Sequence, residues 1–220
     1  PAILYQRDLI PLHASGVVDE AGDVWLFTAP SRTGKSTLLY ALRQMGYQPF
    51  TDDVSVLQPA EEGNDIHAVA SWPVMKLWTA TFKAFGTDDT PARRWLRPNI
   101  DKYGLDFHQS YMSEPAKVKG IVVLQEDRSG QQEISIERLS SLEAFKELEK
   151  NVFRRRWVEG MDKTVRHFRH ISLLAGQVPV YLAKRPANRN TIREFAAAIH
   201  REVCAAALPP DNKITVQVPQ

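Results

Sequence analysis

Ala29-Pro30-Ser31-Arg32-Thr33-Gly34-Lys35-Ser36 stands between two segments of opposite character. Before it, Val24-Trp25-Leu26-Phe27-Thr28 is a short apolar, β-prone run, which predicts a buried strand. After it, Ser36 to Met45 spaces its apolar residues three and four apart and stops at Gly46, which predicts a helix. Strand, loop and helix in that order give a phosphate-binding loop of the Walker A type, with Ala29 where the first glycine is usual. Each part has its own physical reason. Successive loop N–H groups form a concave nest for phosphate oxygens. The following helix offers unpaired N–H groups and the positive end of its dipole. Gly34 lets the backbone approach without a Cβ, Lys35 can pair with the β- and γ-phosphates, and the Ser36 hydroxyl can hold Mg²⁺. Ala29 requires the loop to enter through ordinary φ/ψ space.

Asp52-Asp53 follows Lys35 by 17 and 18 residues, directly before the strand-like Val54-Ser55-Val56-Leu57. Two adjacent carboxylates at a sheet end can divide two tasks, binding Mg²⁺ and accepting the proton of an attacking hydroxyl. Adjacent like charges also raise one of the two pKa values. Behind a phosphate loop this reading outweighs that of a solvated turn. Asp88-Asp89, beside Thr90-Pro91, reads instead as a loop before a helix. His13, in Leu12-His13-Ala14-Ser15-Gly16-Val17, is by itself a structural histidine.

The remainder of the chain fits one sizeable α/β domain. Its 220 residues are 43% hydrophobic and 25% charged, with a formal net charge of +2, which gives no whole-chain argument for nucleic-acid binding. One cysteine, Cys204, excludes an internal disulfide and a cysteine zinc cluster, so a reduced, cytoplasmic setting is expected. No apolar run approaches a membrane span and no signal peptide is expected. Lys76 to Phe85 reads as helix, and Val118 to Gln125 as strand, with Ile134-Ser135-Ile136 as its hairpin partner across Arg128-Ser129-Gly130. Ser140 or Ser141 caps a long helix toward Trp157, with helices continuing through Leu174. Val178 to Leu182 reads as a strand and Asn190 to Ala207 as a terminal helix. The expected organisation is a kinase core over 1–140, a helical part of the same domain over 141–210, and a loose tail over 211–220.

Taken together, His13-Ala14-Ser15-Gly16-Val17, Ser31-Arg32-Thr33-Gly34-Lys35-Ser36-Thr37, Gly46-Tyr47 and Thr51-Asp52-Asp53 resemble, in order and spacing, the catalytic domain of HPr kinase/phosphorylase. Pro73-Val74-Met75-Lys76-Leu77-Trp78, Asp101-Lys102-Tyr103 and Val178-Pro179-Val180-Tyr181-Leu182 are similar to shorter HPr-kinase-like proteins encoded near peptide-modification systems, including lasso-peptide clusters. The resemblance implies a phosphoenolpyruvate-carboxykinase-like P-loop kinase fold, a curved mixed sheet with outer helices. It implies ATP or another nucleoside triphosphate and Mg²⁺ as cofactors. Ser31, Arg32, Thr33, Gly34, Lys35, Ser36 and Thr37 would then hold the nucleotide, with Lys76 and Lys102 reaching it or the transferred group. It assigns catalysis to Asp52, Asp53, Lys35 and His13 and the metal to Ser36 and Asp53, which favours Asp52 as base. The glycine-rich segment and downstream arginine used for phosphorolysis are not found, nor is a separate N-terminal domain. The implied activity is therefore a kinase, without HPr as its implied substrate.

The leading expectation is phosphorylation of a peptide or protein serine, including a ribosomal precursor peptide. A small-molecule hydroxyl kinase and a non-catalytic nucleotide-binding regulator remain open beside it. Residues 150–170 carry Lys150, Arg154, Arg155, Arg156, Lys163, Arg166 and Arg169 against Glu159 and Asp162, interleaved with Phe153, Trp157 and Phe168. That stretch is either a solvated helix face or a dock for an acidic segment. Nucleic acid is a weaker partner reading, and homo-oligomerisation is left open.

Overall fold

The computed structural model describes residues 2–58, 65–87, 93–95, 100–204 and 213–216. The first half contains α1 (Ala2–Gln6), β1 (Ile10–Leu12), β2 (Ala14–Val18), β3 (Val24–Thr28), α2 (Lys35–Gln44), β4 (Gln48–Thr51), β5 (Ser55–Gln58) and β6 (His67–Val69). Next come β7 (Val74–Trp78), α3 (Thr79–Phe85), β8 (Arg93–Trp95), β9 (Lys102–Asp106), β10 (Ala116–Asp127) and β11 (Ile134–Arg138). The chain continues through α4 (Ser141–Lys150), α5 (Arg156–Gly160), α6 (Thr164–Gln177), β12 (Val180–Pro186), α7 (Ile192–Ile199) and β13 (Lys213–Val216). No helix among the described residues is long and apolar enough to cross a membrane.

The architecture is mixed α/β. Among the described residues, ten strands form one sheet, in which β3 and β12 both pair parallel with β10. The flanking pairs, β2 with β3 and β4, β5 with β1 and β6, and β11 with β12 and β13, are antiparallel. A separate antiparallel sheet has the order β7-β9-β8. All five residues of β3 are buried, as its uninterrupted apolar run requires. Its side chains alternate between faces. Trp25 and Phe27 pack with Leu38 and Leu42 of α2 and Phe195 of α7, while Val24 and Leu26 pack with Leu148 of α4 and Leu174 of α6. The strand that leads into residues 29–34 is thus clamped between two helical layers.

Gly120 on β10 shows how closely this core is filled. A Cβ placed there would lie 2.2 Å from Cζ3 of Trp25, which is 1% exposed. Gly120→Ala must push the indole or bend β10, so it should destabilise by about 1–3 kcal/mol. A denaturant midpoint equal to wild type would show that the indole has room to move.

Several sequence expectations need correction. Residues 76–78 are the end of β7, and helix begins only at Thr79. Alternation explains this: Met75 and Leu77 are buried while Lys76 and Trp78 face outward. β11 does not form a hairpin with β10; β12 lies between them, with Ile136 opposite Ala183. The helix expected from Ser140 toward Trp157 breaks after Lys150. Ser140 caps α4 through a capping box with Glu143. Beyond Lys150 the backbone pairs with the β1–β2 corner: His13 N–H donates to Asn151 O at 2.9 Å, and Phe153 N–H to Pro11 O at 2.8 Å. Those bonds replace continued helix, and Arg154 turns the chain with φ of 62°. α7 continues as a π-helix over His200–Cys204. Lys213–Val216, within the expected loose tail, pairs with β11. Thr90-Pro91 and residues 205–207 lie outside the described residues.

Candidate active site

β3 ends at Thr28 and the chain crosses to α2 through residues 29–34. Gly34 caps α2 with φ of 102°, and Arg32 has φ of 71°. An added Cβ at Gly34 would have space, its nearest neighbour being Arg185 Nη2 at 3.8 Å, so the left-handed backbone itself selects glycine. Thr33 Oγ1 donates to Pro30 O at 2.9 Å and closes the loop. Lys35 Nζ donates to Ala29 O at 2.8 Å and to Pro30 O at 3.2 Å. Burial lowers the Lys35 ammonium to about 8, against the attraction of Asp52 and Asp53. A cation so poorly solvated is ready to take an anion.

The acidic pair sits across the cleft, where β4 ends. Thr51 Oγ1 donates to Val54 O at 3.0 Å and ties the turn, in which Asp53 has φ of 83°. The two carboxylates have different surroundings. Asp52 is 4% exposed. Its Oδ1 accepts from Ser36 Oγ at 2.9 Å and its Oδ2 from the Lys76 N–H at 2.8 Å. Burial raises the Asp52 pKa, and these bonds only oppose that rise. Asp53 is partly open and accepts from Lys76 Nζ at 2.6 Å. Burial pushes its carboxyl up, but the Lys76 ammonium bonded to it outweighs that and holds it below the ordinary value.

His13 Nδ1 lies 2.7 Å from Asp53 O. A carbonyl can only accept, so Nδ1 carries the proton. Burial, and then the Lys35 ammonium, lower the His13 pKa, while Asp53 opposes them. A neutral ring therefore keeps Nε2 as an acceptor. Thr28 Oγ1 donates to His13 O at 2.9 Å and fixes that backbone beside the loop.

These groups enclose a cleft of about 540 Å³. Its lining contains every residue assigned to catalysis, nucleotide or metal by the sequence resemblance except Thr33: His13, Ser31, Arg32, Gly34, Lys35, Ser36, Thr37, Asp52, Asp53, Lys76 and Lys102. It adds Trp78, over whose ring Lys102 Nζ sits at 5.7 Å. Trp78 and Lys102 are cross-strand partners of β7 and β9. Reading β7 as a strand would have placed Trp78 on the face of Lys76. Arg185, which donates to Glu126 at 2.8 Å beside Gly34, carries no local sequence signal.

The oxygen donors suit a hard cation. Ser36 Oγ and Asp52 Oδ1 are neighbours at the edge of the loop. Mg²⁺ is commonly held by one or two protein oxygens together with water and phosphate. No cage of three or more His, Cys, Asp or Glu side chains exists among the described residues, and such a site does not need one.

No family model matches the chain, and no curated protein matches it. A solved structure described as the Hpr(Ser) kinase/phosphatase from Coxiella burnetii is similar at 14% identity. The match covers 87% of this chain and 88% of that one, with a TM-score of 0.42. Likeness at that level leaves the chemistry to be read from the cleft itself.

Proposed function

We propose that the chain is a P-loop kinase of the HPr-kinase-like type that transfers a phosphoryl group from Mg²⁺-bound ATP, or another nucleoside triphosphate, to a serine hydroxyl of a peptide or protein. A precursor peptide of a peptide-modification system is the acceptor class that the sequence resemblance favours. The observation that carries the reading is the 2.9 Å bond from Ser36 Oγ to Asp52 Oδ1, which joins the phosphate loop to the acidic pair across one cleft. Pure nucleotide binding does not require a second carboxylate facing the same space.

The residues divide the work. The N–H groups of residues 31–36 receive the phosphates, and Lys35 exchanges loop carbonyls for phosphate oxygens. Ser36, oriented by its bond to Asp52, would hold Mg²⁺, which when bound neutralises charge on the β- and γ-phosphates. Asp53 orients the acceptor hydroxyl and takes its proton. This exchanges the sequence-based roles, in which Asp52 was the favoured base and Asp53 the metal-side carboxylate. Asp52 has the raised pKa, but both its oxygens are already engaged. Asp53 is the accessible one, and an ionised carboxylate suits a loose transition state that needs orientation more than a strong base. His13 braces the Asp53 backbone, and Lys76 steers its carboxylate.

Purified protein incubated with Mg²⁺, ATP and serine-containing peptides should yield phosphopeptides detectable by mass spectrometry. Saturable nucleotide binding with no transfer to peptides or small hydroxyl compounds would favour the non-catalytic regulator.

A further inference from the structure

A second groove, of about 390 Å³, opens on the other side of Asp53. It shares His13, Ser31 and Asp53 with the nucleotide cleft, and its far wall is Lys150 to Arg154. That wall is not loosely placed. Val152 bridges to Leu12, Asn151 O accepts from the His13 N–H, and the Phe153 ring lies 6.1 Å from that of His13. The Arg154 guanidinium stacks over Phe153 at 5.6 Å.

The cations of residues 150–170 are mostly taken. Lys150 pairs with Glu147, Arg155 with Glu149 and Glu159, and Lys163 and Arg166 both pair with Asp8. Arg154 makes no ion pair among the described residues, yet it lines the groove. Backbone conformation points to the same place. Among the described residues, five non-glycine residues have positive φ, and three of them, Arg32, Asp53 and Arg154, border the joined clefts. Such strained positions gather where a site must be held in shape.

An in-line transfer needs the attacking oxygen opposite the leaving oxygen. With the triphosphate on the loop, a hydroxyl entering past His13 and Asp53 comes through the second groove. The nucleotide and Asp53 repel a negatively charged acceptor, and Arg154 offsets that repulsion beyond them. We infer that the groove lined by Arg154 and Phe153 is the acceptor subsite, and that it selects peptides carrying an Asp or Glu side chain within a few residues of the phosphorylated serine. A guanidinium already stacked on an aromatic ring meets a carboxylate with little left to order. The inference rests on the peptide-kinase reading above and adds its specificity.

The test is a positional-scanning peptide library with one serine, incubated with Mg²⁺ and ATP and read as phosphopeptides. Wild type should favour Asp or Glu at one or two flanking positions by about tenfold in kcat/KM, in the range of a charge-assisted hydrogen bond. Arg154→Glu should reverse the preference at those positions toward Lys and Arg, which loss of fold cannot do. Arg154→Asn, whose side chain tolerates positive φ, should flatten it. Phosphopeptides formed with no acidic preference, or a preference unmoved in both variants, overturn the subsite and leave the kinase reading standing. No phosphopeptide from any member overturns the peptide-kinase reading, and the subsite with it.

Discussion

Lys35→Ala should lower the proposed phosphoryl transfer by roughly 10³-fold or more, on the scale of losing a principal electrostatic donor from an active site. The wild-type ammonium sits under the loop with two carbonyls as its hydrogen-bond partners, and burial has already weakened its hold on the proton. A γ-phosphate that gains charge as it leaves would find there a donor needing little reorganisation. The alanine variant loses that donor and should also bind the triphosphate less tightly. The fold should survive. Removing the side chain leaves the Ala29 carbonyl without that donor, which costs about 1–3 kcal/mol. It also removes a poorly solvated charge, which offsets that cost. The measurements are single-turnover transfer and a thermal melt. A variant that melts within a few degrees of wild type and still transfers at near-normal rate would remove the loop from the mechanism.

Asp53→Asn and Asp52→Asn should fail in different ways. Asp53→Asn cannot accept the hydroxyl proton and carries no charge to orient the acceptor, so its rate should fall by roughly 10²–10⁴. Its nucleotide affinity should stay within a few-fold, because the loop, Lys35 and Ser36 are untouched. Asp52→Asn acts one step away. The Lys76 N–H is a fixed donor and must keep facing the amide oxygen, so the NH₂ turns toward Ser36 Oγ. The serine oxygen then accepts a hydrogen bond with a lone pair it would give to Mg²⁺. Magnesium-dependent nucleotide affinity should weaken by roughly 10–100-fold, the usual loss when a ligand's hydrogen-bond partner is removed. Calorimetry with and without Mg²⁺, beside single-turnover rates, separates the two. Wild-type transfer by Asp53→Asn would return the base role to Asp52.

Most of the cleft is legible in the sequence because its chemistry is local. The proposed phosphate loop is a contiguous run, and its glycine, lysine and serine are fixed by the turn into α2. Asp52-Asp53 is a dipeptide at the end of a short strand. What escapes is what depends on partners far along the chain. Lys76 to Phe85 has apolar spacing that suits a helix, and only pairing with β9 fixes its first three residues as strand. Arg154 looks like one of several cations in a basic helix. Its distinct place arises because the β1–β2 corner takes the backbone of Asn151 and Phe153. Trp78 and Arg185 are set beside the loop by strands whose order no local pattern states.

The insertion of β12 between β10 and β11 also bears on how the chain reaches this arrangement. When Arg138 has been synthesised, two strands adjacent in sequence lie within reach of each other across a short turn, and pairing them directly is the quicker event. The native sheet instead needs them two strand spacings apart, about 10 Å, with a segment from more than forty residues later lying between them. A premature β10–β11 hairpin would have to open before β12 could enter. Strand β3 gains its parallel neighbour from β10, and β10 is completed on its other edge only by β12. The loop proposed to grip phosphate therefore rests on a sheet completed late, and nucleotide present during refolding should favour the inserted pairing by binding only the finished form.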